Sequence, residues 1–90
     1  MSKLVNWSMP VYDEFLRIAI LTDDEKAMIE AHVIKHWSRI EKEINLNMSQ
    51  TKIDEVMYAL KLKYWDATKF SDILRDAWAA PPLKTRKPTS

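Results

Sequence analysis

Two histidines and a scatter of serines and threonines are the residues of this chain with the most obvious capacity for chemistry. His32 and His36 stand four apart, a spacing that on a helix turns both rings toward one point, where a metal ion could take Glu43 or Glu25 as a third ligand. A bare His-x-x-x-His without the His-Glu-x-x-His arrangement carries little specificity, so the pair reads as two half-exposed histidines on a helix surface. No metal is expected. Nucleophilic chemistry fares no better. Ser8, Thr22 and Ser49 all fall where helices begin, and bonding to local backbone N–H groups accounts for them. There is no Gly-x-Ser-x-Gly and no glycine-rich phosphate cradle, and the carboxylates sit at spacings that suit helix-surface pairing with lysine. A 90-residue helical chain also leaves little room for a desolvated pocket of several hundred cubic ångströms. The chain reads as a non-enzyme that needs no cofactor.

The absence of cysteine removes disulfides, zinc ribbons and thiol nucleophiles together and fits a reducing compartment. No apolar run is long enough to span a bilayer, and residues Met1 to Met9 lack the basic start and apolar stretch of a secretory signal. A cytoplasmic location is therefore expected, and the Asn-x-Ser triplets at Asn6 and Asn47 are chance matches. At 47% hydrophobic and 30% charged, the chain suits one compact domain rather than a disordered segment. We place that domain at residues 1–80 and read residues 81–90 as a flexible basic tail carrying Lys84, Arg86 and Lys87 with no acid. The formal net charge of +1 lacks the basic excess of a dedicated nucleic-acid binder. Charge is nevertheless polarised, because Asp23, Asp24, Glu25 and Glu30 form an acidic block around Lys26 alone.

The elements that must position these groups are helices. The chain has no glycine, so turns requiring positive backbone dihedrals fall to Asn, Asp and Ser, and two-residue hairpins are disfavoured. A first helix is expected from about Ser8, with Pro10 in its first turn and Tyr12, Phe15, Leu16, Ala19 and Ile20 on one buried face. Thr22-Asp23-Asp24-Glu25 is a capping box that opens a second helix. That helix is expected to run toward Ile44, since Ile29, Val33, Trp37, Ile40 and Ile44 form one continuous apolar stripe. Asn45 to Asn47 breaks the rhythm. Ser49 then caps a third helix with Ile53, Val56, Met57, Leu60 and Tyr64 inward, and Asp66 or Thr68 starts a fourth with Phe70, Ile73, Leu74, Ala77 and Trp78 inward, ended by Pro81 and Pro82. Trp7 and Trp65 fit no stripe and suit either a partner surface or the bundle's edge. The expected fold is all-α, a small four-helix bundle.

Arg39 to Asp54 holds a short amphipathic helix, an Asn-rich turn, an apolar residue before a serine cap and a second amphipathic helix. Helix-turn-helix units that read DNA are built in this way. The segment Leu21 to Tyr64, with Leu21-Thr22-Asp23-Asp24-Glu25-Lys26, Leu46-Asn47-Met48-Ser49 and Leu60-Lys61-Leu62-Lys63-Tyr64, resembles the helix-turn-helix of sigma-factor region 4 and LuxR-type regulators. More narrowly, it resembles small sigma-region-4-like proteins of phages and mobile elements of Firmicutes. The resemblance covers about half the chain. It implies that Gln50, Thr51, Lys52, Glu55 and Tyr58 face the groove, with Lys52 on a phosphate, Gln50 on an adenine edge and Ser49 mainly a cap beside a phosphate. Aligned on Leu46–Ser49, this sequence has Lys42 and Glu43 where the family carries an apolar residue and an alanine; aligned on Ile40 and Ile44 instead, its turn is longer than the family's. It lacks the turn glycine, and it places the acids Asp54 and Glu55 on the reading helix.

Two functions follow. One is a small DNA-binding or transcription-associated protein that engages double-stranded DNA as a homodimer or together with RNA polymerase, the tail residues Lys84, Arg86 and Lys87 adding phosphate contacts. The other is a protein–protein adaptor or inhibitor on a helix-turn-helix-like fold without DNA binding. A basic outer surface on the helix after Ser49 favours the first, and a mixed one the second.

Overall fold

A computed structural model of the chain describes residues 4–80. The expectations for Pro81, Pro82, Lys84, Arg86, Lys87 and the 81–90 tail lie outside the described residues. Ser8 opens α1, Met9–Ile18, its hydroxyl oxygen accepting from the Val11 N–H, with Pro10 in the first turn and Val11 and Phe15 buried. Beyond Ile18 the backbone turns extended at Ala19, so Ile20 leaves the helix and stands 90% exposed instead of facing the core. The expected capping box is present at the start of α2, Asp23–Val33. Glu25 N–H donates to Thr22 Oγ1 at 3.2 Å, and Thr22 N–H donates to Glu25 Oε1 at 2.9 Å.

The helix expected to reach Ile44 is two helices, because α2 stops at Val33. The chain folds over its end through Lys35 N–H to Glu30 O and Trp37 N–H to Ala31 O, and His36 takes a left-handed conformation at φ 54°. Ser38 then opens α3, Arg39–Leu46, with a second capping box to Glu41 (2.8 and 3.2 Å). This break turns Ile40 and Ile44 outward, to 67% and 72% exposure, although their spacing continues the apolar period of α2. A three-residue turn follows: Asn47 at φ 55°, Met48 and the cap Ser49. Next comes α4, Gln50–Ala67, with Ile53, Val56, Leu60, Tyr64 and Ala67 buried as expected and Met57 packed against the core.

Neither Asp66 nor Thr68 begins a new helix, since both belong to the end of α4. The last helix, α5 (Asp72–Ala77), is opened by Ser71. Leu74 and Ala77 are buried as expected, whereas Phe70 (79% exposed) precedes the helix and faces out, as does Ile73. The described residues thus form a compact all-α fold of five helices, α5 being a single short piece, with no strand among them. The α4 helix packs on α1, α2 and α3, and α5 packs on α1.

Two further features close the molecule. Residues 4–6 lie antiparallel to 77–79, through Asn6 N–H to Ala77 O at 2.8 Å and Ala79 N–H to Leu4 O at 2.7 Å. Tyr64 sits at the centre of an aromatic cluster, with the rings of Phe15, Trp7 and Trp78 at 5.3, 5.5 and 6.0 Å and Trp65 against Trp78 at 5.1 Å. Trp7 and Trp65 therefore cover the core's edge. No helix among the described residues is long and apolar enough to cross a membrane.

Candidate nucleic-acid interface

The surface marked out by the sequence is the first half of α4, and its placement begins with the turn before it. A left-handed conformation costs an ordinary residue roughly 1–2 kcal/mol, and asparagine tolerates it better than most. Asn47 therefore does here what glycine does elsewhere, and Met48 N–H donates to Glu43 O (3.2 Å) to close the end of α3. Met48 and Leu46 pack against the core on either side of Asn47, which fixes the exit direction of the chain. Ser49 Oγ then accepts from the Lys52 N–H at 3.1 Å and starts α4.

With Ile53, Val56 and Leu60 buried, the helical period turns Gln50, Thr51, Glu55 and Tyr58 onto one outward arc. All four are exposed, as is Ser49 at the helix start. Lys52 falls at the margin of that arc, where its ammonium group lies 3.4 Å from Asp24 on α2. Asp54, near the middle of the arc, accepts from Arg39 Nη2 at 2.7 Å. Lys61 reaches over the Tyr58 ring at 5.4 Å. The outward face is thus mixed in sign. Arg39, Lys52 and Lys61 alternate with Asp24, Asp54 and Glu55, and two of the three cations are tied to acids. The sequence singled out neither Arg39 nor Lys61 for this face. Arg39 precedes the turn in the chain, and only the packing of α3 on α4 brings it to Asp54.

The histidine pair expected on one helix surface does not form. His36 lies beyond α2 in its left-handed position, and His32 is half-buried toward α3. Lys42, standing where the resembled family carries an apolar residue, is buried, and its amine lies 3.1 Å from His32 Nδ1. The ammonium group can only donate, so Nδ1 accepts and the neutral ring carries its proton on Nε2. Burial, with the Lys42 charge beside it, drives the imidazole pKa down to about 4, and burial likewise lowers that of Lys42. His32 Nε2 and Trp7 Nε1 are both buried without a hydrogen-bond partner among the described residues. An ammonium group on the Nδ1 side disfavours a metal ion at His32, and no group of three or more candidate ligands occurs among the described residues.

A partly buried ion pair ties α2 to α4. Lys63 donates to Glu25 Oε1 at 2.5 Å and to Ile20 O at 3.0 Å. Burial opposes ionisation of Glu25, but the bonds from Lys63 and from the Thr22 backbone outweigh it and hold the carboxyl below its ordinary pKa. Ser8, Thr22 and Ser49 are all occupied as caps. The chain matches no family model, and searches of curated proteins and of solved structures returned no significant match.

Proposed function

We propose that this chain is a small, non-catalytic helix-turn-helix protein with a transcription-linked role. In this reading α3, the Asn47–Ser49 turn and α4 are the bihelical unit, and the first half of α4 contacts duplex DNA with the help of a partner. The observation that carries the proposal is the connection itself. An eight-residue helix, a three-residue turn with a left-handed first residue and a serine-capped second helix present Gln50, Thr51, Glu55 and Tyr58 outward together. Side chains at the start of such a helix are the ones that reach base edges in a major groove. Gln50 has the amide that pairs with adenine, and Lys52, once released from Asp24, has the charge for a phosphate.

The mixed face sets the strength of the contact. Each phosphate neutralised adds nearly one unit to the slope of log affinity against log salt. With Arg39 and Lys52 already facing acids, the isolated domain binds weakly and with a shallow slope, which is why a homodimer or RNA polymerase belongs to the proposal. The test is fluorescence anisotropy of the full chain with labelled random duplex DNA across a salt series. Binding that weakens with salt and is lost in the Gln50→Ala/Lys52→Ala variant supports this reading. A flat titration at low salt by the folded protein rejects DNA contact by the isolated domain.

The mixed outward face of α4 is the outcome that favours the second reading, a protein–protein adaptor or inhibitor without DNA binding, and Ile40 and Ile44, exposed one turn apart on α3, add to it. A protein partner would bury that pair. In that case Ile40→Ser/Ile44→Ser breaks a complex that reversing the charge of Lys52 leaves intact.

A further inference from the structure

An open pocket of about 350 Å³ lies between residues 5–7 and the end of α2, lined by Val5, Asn6, Trp7, His32, Val33 and His36. No acid is among its lining residues. Among the described residues, the buried side-chain nitrogens or oxygens that lack a partner are Trp7 Nε1 and His32 Nε2, and both belong to this one pocket. Both are donors. An indole N–H can only donate, and the Lys42 amine, 3.1 Å from His32 Nδ1, leaves the ring proton on Nε2. Lys42 thus turns a side chain that could accept or donate into a fixed donor. An unpartnered buried donor is a cost to the fold, and a bound acceptor offsets it.

We propose that this pocket binds a small organic carboxylate, whose oxygens accept from Trp7 Nε1 and His32 Nε2 while its apolar body lies against Val5 and Val33. A carboxylate accepts only, which suits two donors that nothing else in the pocket satisfies. Its charge suits the surroundings, because Lys42 stands behind His32 and Lys35 adjoins His36 in the chain. A neutral amide of the same shape gains nothing from those cations. A phosphate dianion loses more hydration than two neutral donors and a partly apolar wall replace. Both nitrogens are closed off from water, so the exposed side chains of Asn6 and His36 are the ones that swing clear as the ligand enters. Since His32 lies on α2 and Lys42 on α3, the ligand also tightens the joint between those helices and stabilises the fold by binding it.

The inference does not rest on DNA binding and is measured without DNA, so either can fail alone. The probe is sodium benzoate, titrated into the full chain at pH 7.5 and followed in nitrogen–proton correlation spectra. The Trp7 indole N–H should move downfield and saturate with a Kd of about 1 mM, in keeping with so small a ligand. Benzamide, the neutral isostere, and inorganic phosphate should each bind at least about tenfold more weakly. Benzoate should also raise the thermal midpoint. Trp7→Phe, which keeps the ring packing and removes the donor, and Lys42→Met, which keeps the stem and releases the His32 tautomer, should each weaken benzoate about tenfold while the helical circular dichroism is unchanged. An indole signal that stays put or never saturates overturns the inference. So does benzamide or phosphate binding as tightly as benzoate, and these comparisons use the wild-type chain, so they hold even where a variant fails to fold. Undiminished benzoate affinity in folded Trp7→Phe overturns it equally.

Discussion

At the scale of single residues, the least expected feature is a lysine in the core where an apolar side chain would serve. Lys42 is tolerated because its stem packs and its amine finds the His32 acceptor lone pair, a charged donor against a neutral acceptor. The arrangement makes stability depend on pH with a definite sign. Folded His32 titrates near 4 against an ordinary 6.5, so between these values the unfolded chain binds more protons than the folded one. Stability is therefore fully present above about pH 6.5 and declines as pH falls toward 4. Discounting for a half-exposed ring leaves about 1–2 kcal/mol lost across that window. Denaturant unfolding at pH 7.5 and pH 5 should show the loss, and His32→Gln should flatten it. The pair should also couple: His32→Leu strands a buried ammonium group and costs about 1–3 kcal/mol. His32→Leu/Lys42→Met should recover most of that cost. Additive effects of the two substitutions would mean that the bond contributes nothing. Tyr64 offers a second residue-scale test. Its buried hydroxyl, whose pKa burial pushes well above the phenol range, donates to Leu74 O at 2.6 Å. Tyr64→Phe should cost about 1–2 kcal/mol by leaving that carbonyl unpaired.

Among the elements, connections set the architecture, and they were unevenly legible. The Thr22–Glu25 box, the Ser49 cap and the inward face of α4 could be read directly, because each is a local pattern with a local cause. The division between α2 and α3 was hidden. Ile29, Val33, Trp37, Ile40 and Ile44 keep a helical period straight across it, and neither glycine nor proline marks the break. The available signal was Ser38-x-x-Glu41, a second capping box inside an apparently continuous helix. Phe70 misled similarly, because an apolar period was extended through a turn residue, while Ile73 lies within α5 but on its outward side. The ion pairs of α4 with Asp24 and Arg39 were beyond sequence reasoning, since they depend on how three helices pack. The left-handed residue Asn47 makes the element-scale prediction. Asn47→Gly should hold or raise stability, by up to about 1 kcal/mol, whereas Asn47→Val should lower it by about 1–2 kcal/mol, read from thermal unfolding. Equal stabilities for the two would show that the turn does not depend on a left-handed residue at 47.

Across the whole molecule, the outward surface divides into two ends of one long helix. At the start of α4, a polar arc of mixed sign stands beside an exposed isoleucine pair on α3. At its finish, Phe70 and Ile20 flank an apolar groove. A chain of net charge +1 has little long-range attraction for a polyanion, so under the proposed reading specificity comes from short-range contacts at the first of these ends. The most direct test is a nitrogen–proton correlation spectrum of the full chain, titrated with duplex DNA at low salt. The expected result is progressive shifts at the amides of Gln50, Thr51, Lys52, Glu55 and Tyr58, with the amides around Phe70 unmoved. A spectrum that does not change, or shifts confined to the Ile40–Ile44 face or the Phe70 groove, would contradict the assignment of α4 as a DNA-contacting helix.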